Sequence, residues 1–220
     1  MIKGVIFDMD GTIVDSLPYH HKAWEIFFKH NKVENFSKKL KDYKGGGTLD
    51  LMKAVYGDKY SIKELKIMSH DKEIIFRDIY RGNIQPIKGF IEFIESLKSK
   101  NILIGLASNA IRENVILTLE ELNVYNYFNS IICGDEVKKG KPDPEMFNKT
   151  LESFDIDNKH CLIFEDSIEG IQGACNSGIN SVGITSSSTH RILIDAGANG
   201  TIENYLNISD KLKKINLFIL

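Results

Sequence analysis

The sequence predicts a doubly wound parallel α/β fold, a Rossmann-like core, with a helical domain inserted near its start. Three observations predict it. Short, continuously apolar runs recur along the chain, each closed by a polar or glycine-containing turn, as strands covered on both faces are. Between them lie segments with apolar residues at the three-and-four spacing of one helical face. One long stretch after the first run carries helical patterns and polar loops but no convincing strand.

The first strand is expected at Gly4 to Phe7. From about Leu17 to Arg81 the pattern is helical, with Trp24, Phe27 and Phe28 on one apolar face and Ile74, Ile75, Ile79 and Tyr80 on another, all read as ordinary core. Lys44-Gly45-Gly46-Gly47-Thr48 interrupts that stretch with a turn able to bend over a ligand. Phe90, Ile91, Phe93, Ile94 and Leu97 then mark a helix, Ile102 to Ala107 a strand, and Val115, Ile116, Leu119 and Leu122 a further helix. Strands follow at Ser130 to Cys133, Cys161 to Phe164 and Ser181 to Thr185. Asp143 before Pro144, and Ser167 after the fourth strand, are helix-start signals. The alternation gives a core of residues 1–15 and 83–220 and a helical insert of residues 16–82, with hinges near Ser16 and near Gly82 to Pro86.

A length of 220 residues, 42% of them hydrophobic, is enough for a substantial core. A net charge of -2 supplies no basic field, so nucleic acid and anionic membrane are not expected partners, and the ligand should be small. Cys133, Cys161 and Cys175 have no zinc-like or paired spacing and read as buried thiols of a reducing compartment. No apolar run approaches the length of a membrane helix or signal peptide, so a cytoplasmic protein is expected; a monomer is a separate expectation.

Open α/β sheets bind ligands beyond the carboxyl ends of their strands, so residues there carry the chemistry. After the first strand come Asp8-Met9-Asp10-Gly11-Thr12, with two carboxylates on one side of an extended backbone. After the second come Ser108-Asn109, after the fourth Glu165-Asp166-Ser167, and Lys141 follows the third within Lys139-Gly140-Lys141-Pro142-Asp143-Pro144. Taken singly, Asp10, Ser167, Ser108-Asn109 and Lys141 read as caps, turns and a solvated lysine, whereas Asp8 ends a buried strand with an acid two residues on. Together, so many acids at one edge require a cation, and hard carboxylate oxygens without His or Cys favour Mg²⁺.

These four motifs, in this order at strand ends, resemble those of the haloacid dehalogenase superfamily, in its branch of β-phosphoglucomutase-like and phosphoglycolate phosphatase-like members with a helical cap. The resemblance implies that Asp8 attacks phosphorus to form an aspartyl-phosphate while Asp10 serves as acid and then base. It also implies that Asp8, the Asp10 carbonyl and Asp166 hold Mg²⁺ with Glu165 in or beside the set, and that Ser108, Asn109 and Lys141 hold the phosphoryl oxygens. His20 falls where β-phosphoglucomutase has a cap histidine, with His21 as its competitor. Lys44, Gly46, Thr48 and Lys72 are the remaining cap candidates for substrate contact, Lys72 being otherwise an exposed helix lysine.

Mutase chemistry needs a second phosphate grip, and the places that supply it in β-phosphoglucomutase are here Thr48 and Ile111, neither of them charged. Arg112 is the one neighbour able to substitute. Hydrolysis of a small phosphorylated metabolite, a sugar phosphate by family analogy, is therefore expected ahead of a phosphosugar mutase. A receiver-like signalling module, which also collects acids and a lysine at strand ends, is the remote alternative; it lacks an insert and needs no leaving-group acid.

Overall fold

The computed structural model describes residues 2–36, 38 and 48–217. The backbone forms two compact units, one of Met1–Asp15 with Ile84–Leu220, the other of Ser16–Asn83.

The first unit is a six-stranded parallel sheet flanked by helices. Its strands are β1 (Gly4–Phe7), β2 (Leu103–Ser108), β3 (Ser130–Cys133), β4 (Cys161–Glu165), β5 (Asn180–Ile184) and β6 (Gly200–Ile202), ordered β3-β2-β1-β4-β5-β6. The α/β class is as the sequence predicts. The chain winds outward from β1 through β2 to β3, then returns to β4 on the other side of β1. That reversal opens a crevice at the carboxyl ends of β1 and β4, the place where open sheets bind ligands. Phe7 pairs with Phe164, and the Asp8 amide donates to the Phe164 carbonyl at 3.0 Å, so Asp8 and Glu165 leave adjacent strands together.

β6 was not expected, and for a physical reason: Gly200-Thr201-Ile202 is too short and too mixed to stand out from a turn. The segment after it carries Tyr205, whose buried ring stacks on Phe93 and meets Phe7 edge-on. Its hydroxyl donates to the Thr12 carbonyl at 3.1 Å, tying the loop after β1 to the far end of the chain. Tyr205→Phe leaves that buried carbonyl without its donor. It is expected to lower stability by about 1–2 kcal/mol, read as a fall in melting temperature.

The thiols need one correction. Cys133 and Cys161 are buried, but Cys175 is exposed, near the end of a helix whose buried positions are Gly170, Ile171, Gly173 and Ala174. Among the described residues no helix is long and apolar enough to cross a membrane.

The second unit contains α1 (Leu17–His30), α2 (Thr48–Tyr56) and α3 (Ile62–Tyr80). Trp24, Phe27 and Phe28 of α1 pack with Leu51, Met52 and Val55 of α2 and Leu65 of α3. α3 starts at a reciprocal capping box between Ser61 and Glu64. Its buried face departs from expectation. Ile74 is 41% exposed, while Leu65, Lys72, Phe76 and Tyr80 recur at steps of seven and four and point inward. An apolar-residue count misplaces this face because a lysine occupies one of its inner positions.

Candidate active site

The carboxyl ends of β1 and β4 bring Asp8, Glu165 and Asp166 together, each buried, with carboxylate oxygens within 4.8 Å of one another. Lys141 reaches them from the loop after β3. Its ammonium donates to Asp8 Oδ1 at 2.7 Å and to Glu165 Oε1 at 2.5 Å, and its side chain is 2% exposed. Burial alone would push the Lys141 amine down, but the two carboxylates outweigh it and hold the amine above the ordinary lysine range.

The acids shift the other way. Burial raises Asp8 to about 7; Lys141 opposes the rise, and the charges of Glu165 and Asp10 add to it. Asp166 is likewise raised well above the ordinary carboxyl value, by burial first and then by Glu165 and Asp8. One ammonium among these carboxylates leaves negative charge in excess. Protons can neutralise it, and so can a cation. The donors are hard oxygens, with neither His nor Cys in the group, a set that fits Mg²⁺.

Glu165 plays a part that the sequence does not reveal. Its Oε1 accepts from Lys141, and its Oε2 accepts from the Ser167 amide at 2.8 Å and hydroxyl at 2.9 Å. Both oxygens are thus already engaged by donors. Ser167 also caps the helix Ile168–Ser177 by accepting from the Gly170 amide at 3.0 Å. The Glu165 carboxylate lies so close to this first turn that a Cβ on Gly170 would overlap it. Here glycine is required for space. Gly11, at φ +82, has both needs, since a Cβ there would be strained and would overlap the Asp166 carboxylate.

Two serines beyond β5 complete the frame. Ser186 Oγ donates to the Gly11 carbonyl at 2.5 Å, and Ser187 Oγ donates to the Asp166 carbonyl at 2.9 Å. Sequence reading passed over them because Ser186-Ser187-Ser188 looks like any polar turn; position after a strand was the available signal.

Ser108 is buried at the end of β2, its Oγ accepting from the Ala110 amide at 3.1 Å, which directs the hydroxyl proton elsewhere. Asn109 Oδ1 accepts from the Lys141 amide at 3.1 Å, which leaves its NH₂ as the donor end. Asp10 is half-buried on the same loop as Asp8. Arg112, the candidate substitute for a missing phosphate grip, is committed elsewhere. Its guanidinium holds Glu136 at 2.6 and 2.7 Å and reaches the Ile131 carbonyl at 3.4 Å.

The helical unit has a polar cluster of its own. Lys72 is 1% exposed rather than solvated, which corrects the reading of it as an exposed lysine. It donates to Glu73 Oε1 at 3.1 Å, and its ammonium lies 2.8 Å from His20 Nδ1. His20 stacks on Phe76 at 3.8 Å, so it is not a solvent-facing histidine, whereas His21 is exposed. Thr48 Oγ1 donates to the same Glu73 oxygen at 3.1 Å. Lys44 and Gly46 lie outside the described residues.

A family model described as haloacid dehalogenase-like hydrolase matches residues 5–184. The chain is 29% identical over 215 residues to a phosphorylated carbohydrates phosphatase of Thermotoga maritima, covering 94% of this chain and 98% of that one. It is 28% identical over 193 residues to the beta-phosphoglucomutase of Bacillus subtilis, covering 83% of each. The crystal structure of a HAD hydrolase of family IA, variant 3, from Entamoeba histolytica superposes with a TM-score of 0.86 at 26% identity, covering 98% of this chain and 100% of that one. With the match running from β1 through β5 and Asp8, Lys141, Glu165 and Asp166 gathered at one sheet edge, the chain belongs to the haloacid dehalogenase-like hydrolases.

Proposed function

We propose that the chain is a Mg²⁺-dependent phosphatase that hydrolyses small phosphomonoesters, phosphorylated carbohydrates foremost, through a phosphoryl group carried on Asp8. The observation that carries this reading is the placement of Lys141 between Asp8 and Glu165 at the β1/β4 crevice. The Asp8 carboxylate attacks phosphorus. The bond from phosphorus to the ester oxygen breaks as Asp10 gives that oxygen its proton, and the alcohol leaves. Asp10, now ionised, takes a proton from water as the water attacks phosphorus, the bond to Asp8 breaks, and inorganic phosphate departs. Ser108, the Asn109 NH₂ and Lys141 supply donors for the phosphoryl oxygens.

Asp8, the Asp10 carbonyl and Asp166 would hold Mg²⁺, which supplies the positive charge that lets a phosphate dianion lie among carboxylates. We assign Glu165 to the edge of that set, where it aims Lys141. We assign the helical unit, Ser16–Asn83, the role of a cap, with His20, Thr48 and Lys72 as its candidates for substrate contact. A small phosphorylated metabolite is then the partner, and no nucleic acid or membrane is involved.

Hydrolysis ranks ahead of a mutase reaction because Thr48 and Ile111 stand where β-phosphoglucomutase has its charged grips on a second phosphate. Arg112 is spent on Glu136, and the Thr48 hydroxyl on Glu73. The test is phosphate release from an aryl phosphate and a panel of sugar phosphates, with Mg²⁺ or with chelator, alongside β-glucose 1-phosphate with and without the 1,6-bisphosphate. Mg²⁺-dependent release is expected; bisphosphate-dependent isomerisation without release would overturn the ordering.

Gly170 gives a sharper check. The atoms that a new methyl would meet are the carboxylate end of Glu165, which Lys141 and Ser167 hold in place. Gly170→Ala displaces that carboxylate and is expected to lower both the melting temperature and kcat, the latter by about 10- to 100-fold.

A further inference from the structure

Serines in polar turns ordinarily bond to the backbone of their own loop. Ser186 and Ser187 reach further. The Ser186 hydroxyl donates to the Gly11 carbonyl, 175 positions away in sequence, and the Ser187 hydroxyl to the Asp166 carbonyl across 21 positions. Both carbonyls lie past the last strand pairs at this edge, Phe7 with Phe164 and Glu165 with Gly183, and so out of reach of the ladder. The two serines are themselves exposed, so these bonds add little to the core.

Each bond fixes a group that adjoins the carboxylates. A peptide unit is planar and trans, so the Asp10 carbonyl points opposite to the Gly11 N–H. That N–H donates to the Val14 carbonyl at 2.7 Å, and Ser186 donates to the carbonyl on the other side of Gly11 at 2.5 Å. With both flanking peptide planes held, Gly11 stays at φ +82 and the Asp10 carbonyl keeps one direction. Glycine has no Cβ to enforce that conformation by itself. The Asp166 carboxylate packs where a Gly11 Cβ would lie, Ser186 Oγ is 3.4 Å from its Oδ2, and Ser187 holds the same residue by its backbone.

We infer that Ser186 and Ser187 are positioning residues for Mg²⁺, holding the Asp10 carbonyl and the Asp166 carboxylate in place to receive it. This rests on the metal-dependent reading proposed above. Neither hydroxyl needs to touch the ion or the substrate. They remove freedom that the two oxygens would otherwise lose on binding, and partners of this kind are typically worth about 10- to 100-fold in metal affinity.

The test titrates Mg²⁺ into the full chain without substrate and follows the melting temperature, which rises as the folded state binds metal. A parallel titration follows phosphate release from phenyl phosphate. Ser186→Ala/Ser187→Ala is expected to raise the Mg²⁺ constant by about tenfold or more in both titrations, with kcat back within about twofold of wild type at saturating Mg²⁺. In chelator its melting temperature should stay within about 2 °C of wild type, because shortening exposed serines opens no cavity. Ser186→Thr/Ser187→Thr keeps both hydroxyls and should restore most of the affinity. Ser188→Ala, in the same turn but in neither bond, should bind Mg²⁺ as wild type does. A merely structural pair would lower the melting temperature in chelator and leave the Mg²⁺ constant unchanged. That result, or a loss in Ser188→Ala as large as in the pair, would overturn the inference while the phosphatase reading stands. A wild type that neither gains stability from Mg²⁺ nor releases phosphate with it would overturn both.

Discussion

Asp8→Asn is expected to lower phosphate release by about 10⁴-fold or more, with substrate still bound, because the amide cannot form the phosphoryl-enzyme. The same substitution should raise the stability of the metal-free protein in alkaline buffer. Folding raises the Asp8 carboxyl from 3.8 to about 7, by burial first, against the pull of Lys141 and with the push of Glu165 and Asp10. Between those values the folded chain holds a proton that the unfolded chain has lost. The stability linked to that proton is fully present below 3.8 and is lost as pH rises through about 7. Above pH 7 the folded protein carries an ionised, crowded carboxylate. Removing it should recover a few kcal/mol, on the order of what such a shift represents. Melting curves of wild type and variant at pH 5 and pH 8, with chelator, check this: the variant's advantage should appear at the higher pH and shrink at the lower.

Lys141→Met is expected to damage both activity and stability. The ammonium is buried between two carboxylates, so its loss strips Asp8 and Glu165 of their shared partner. Breaking a buried pair in this way typically costs about 3–5 kcal/mol. Losing a preorganised cation at the transferring phosphoryl group should lower kcat by about 10³-fold. The two effects separate experimentally. Mg²⁺ should recover part of the melting temperature, since it supplies charge to the same carboxylates, but it should not recover kcat. A variant that melts lower yet turns over at the wild-type rate would leave Lys141 a structural role only.

Much of this is legible in the sequence because strand ends are. Of the five expected strands, Gly4 to Phe7 and Ser130 to Cys133 match the observed ones and the other three end within one residue of them, so Asp8, Lys141, Glu165 and Asp166 could be assigned to one edge from the sequence. The rule that puts ligands at the carboxyl ends of parallel strands did the rest. What escaped depends on side-chain direction. Lys72 sits at an inner position of α3 that an apolar pattern would assign to Leu or Ile, so counting apolar residues turned Ile74 inward and Lys72 outward. Glu165 reads as one more acid in a motif, and only its bonds to Lys141 and Ser167 distinguish it from Asp166. Gly170 looks like a weak helical residue until the carboxylate packed against it is seen. Arg112 is the converse case, near the site in sequence but turned to Glu136 by geometry that one chain's pattern does not record.

The claim at the centre of this account is that Asp8 itself carries the phosphoryl group. Acid quenching of the protein during turnover of an aryl phosphate with Mg²⁺, followed by peptide mass spectrometry, tests it directly. The account predicts one added phosphoryl group on the peptide containing Asp8, absent in Asp8→Asn and absent without Mg²⁺. Steady turnover with that peptide unmodified, or with the phosphoryl group on another residue, would contradict it.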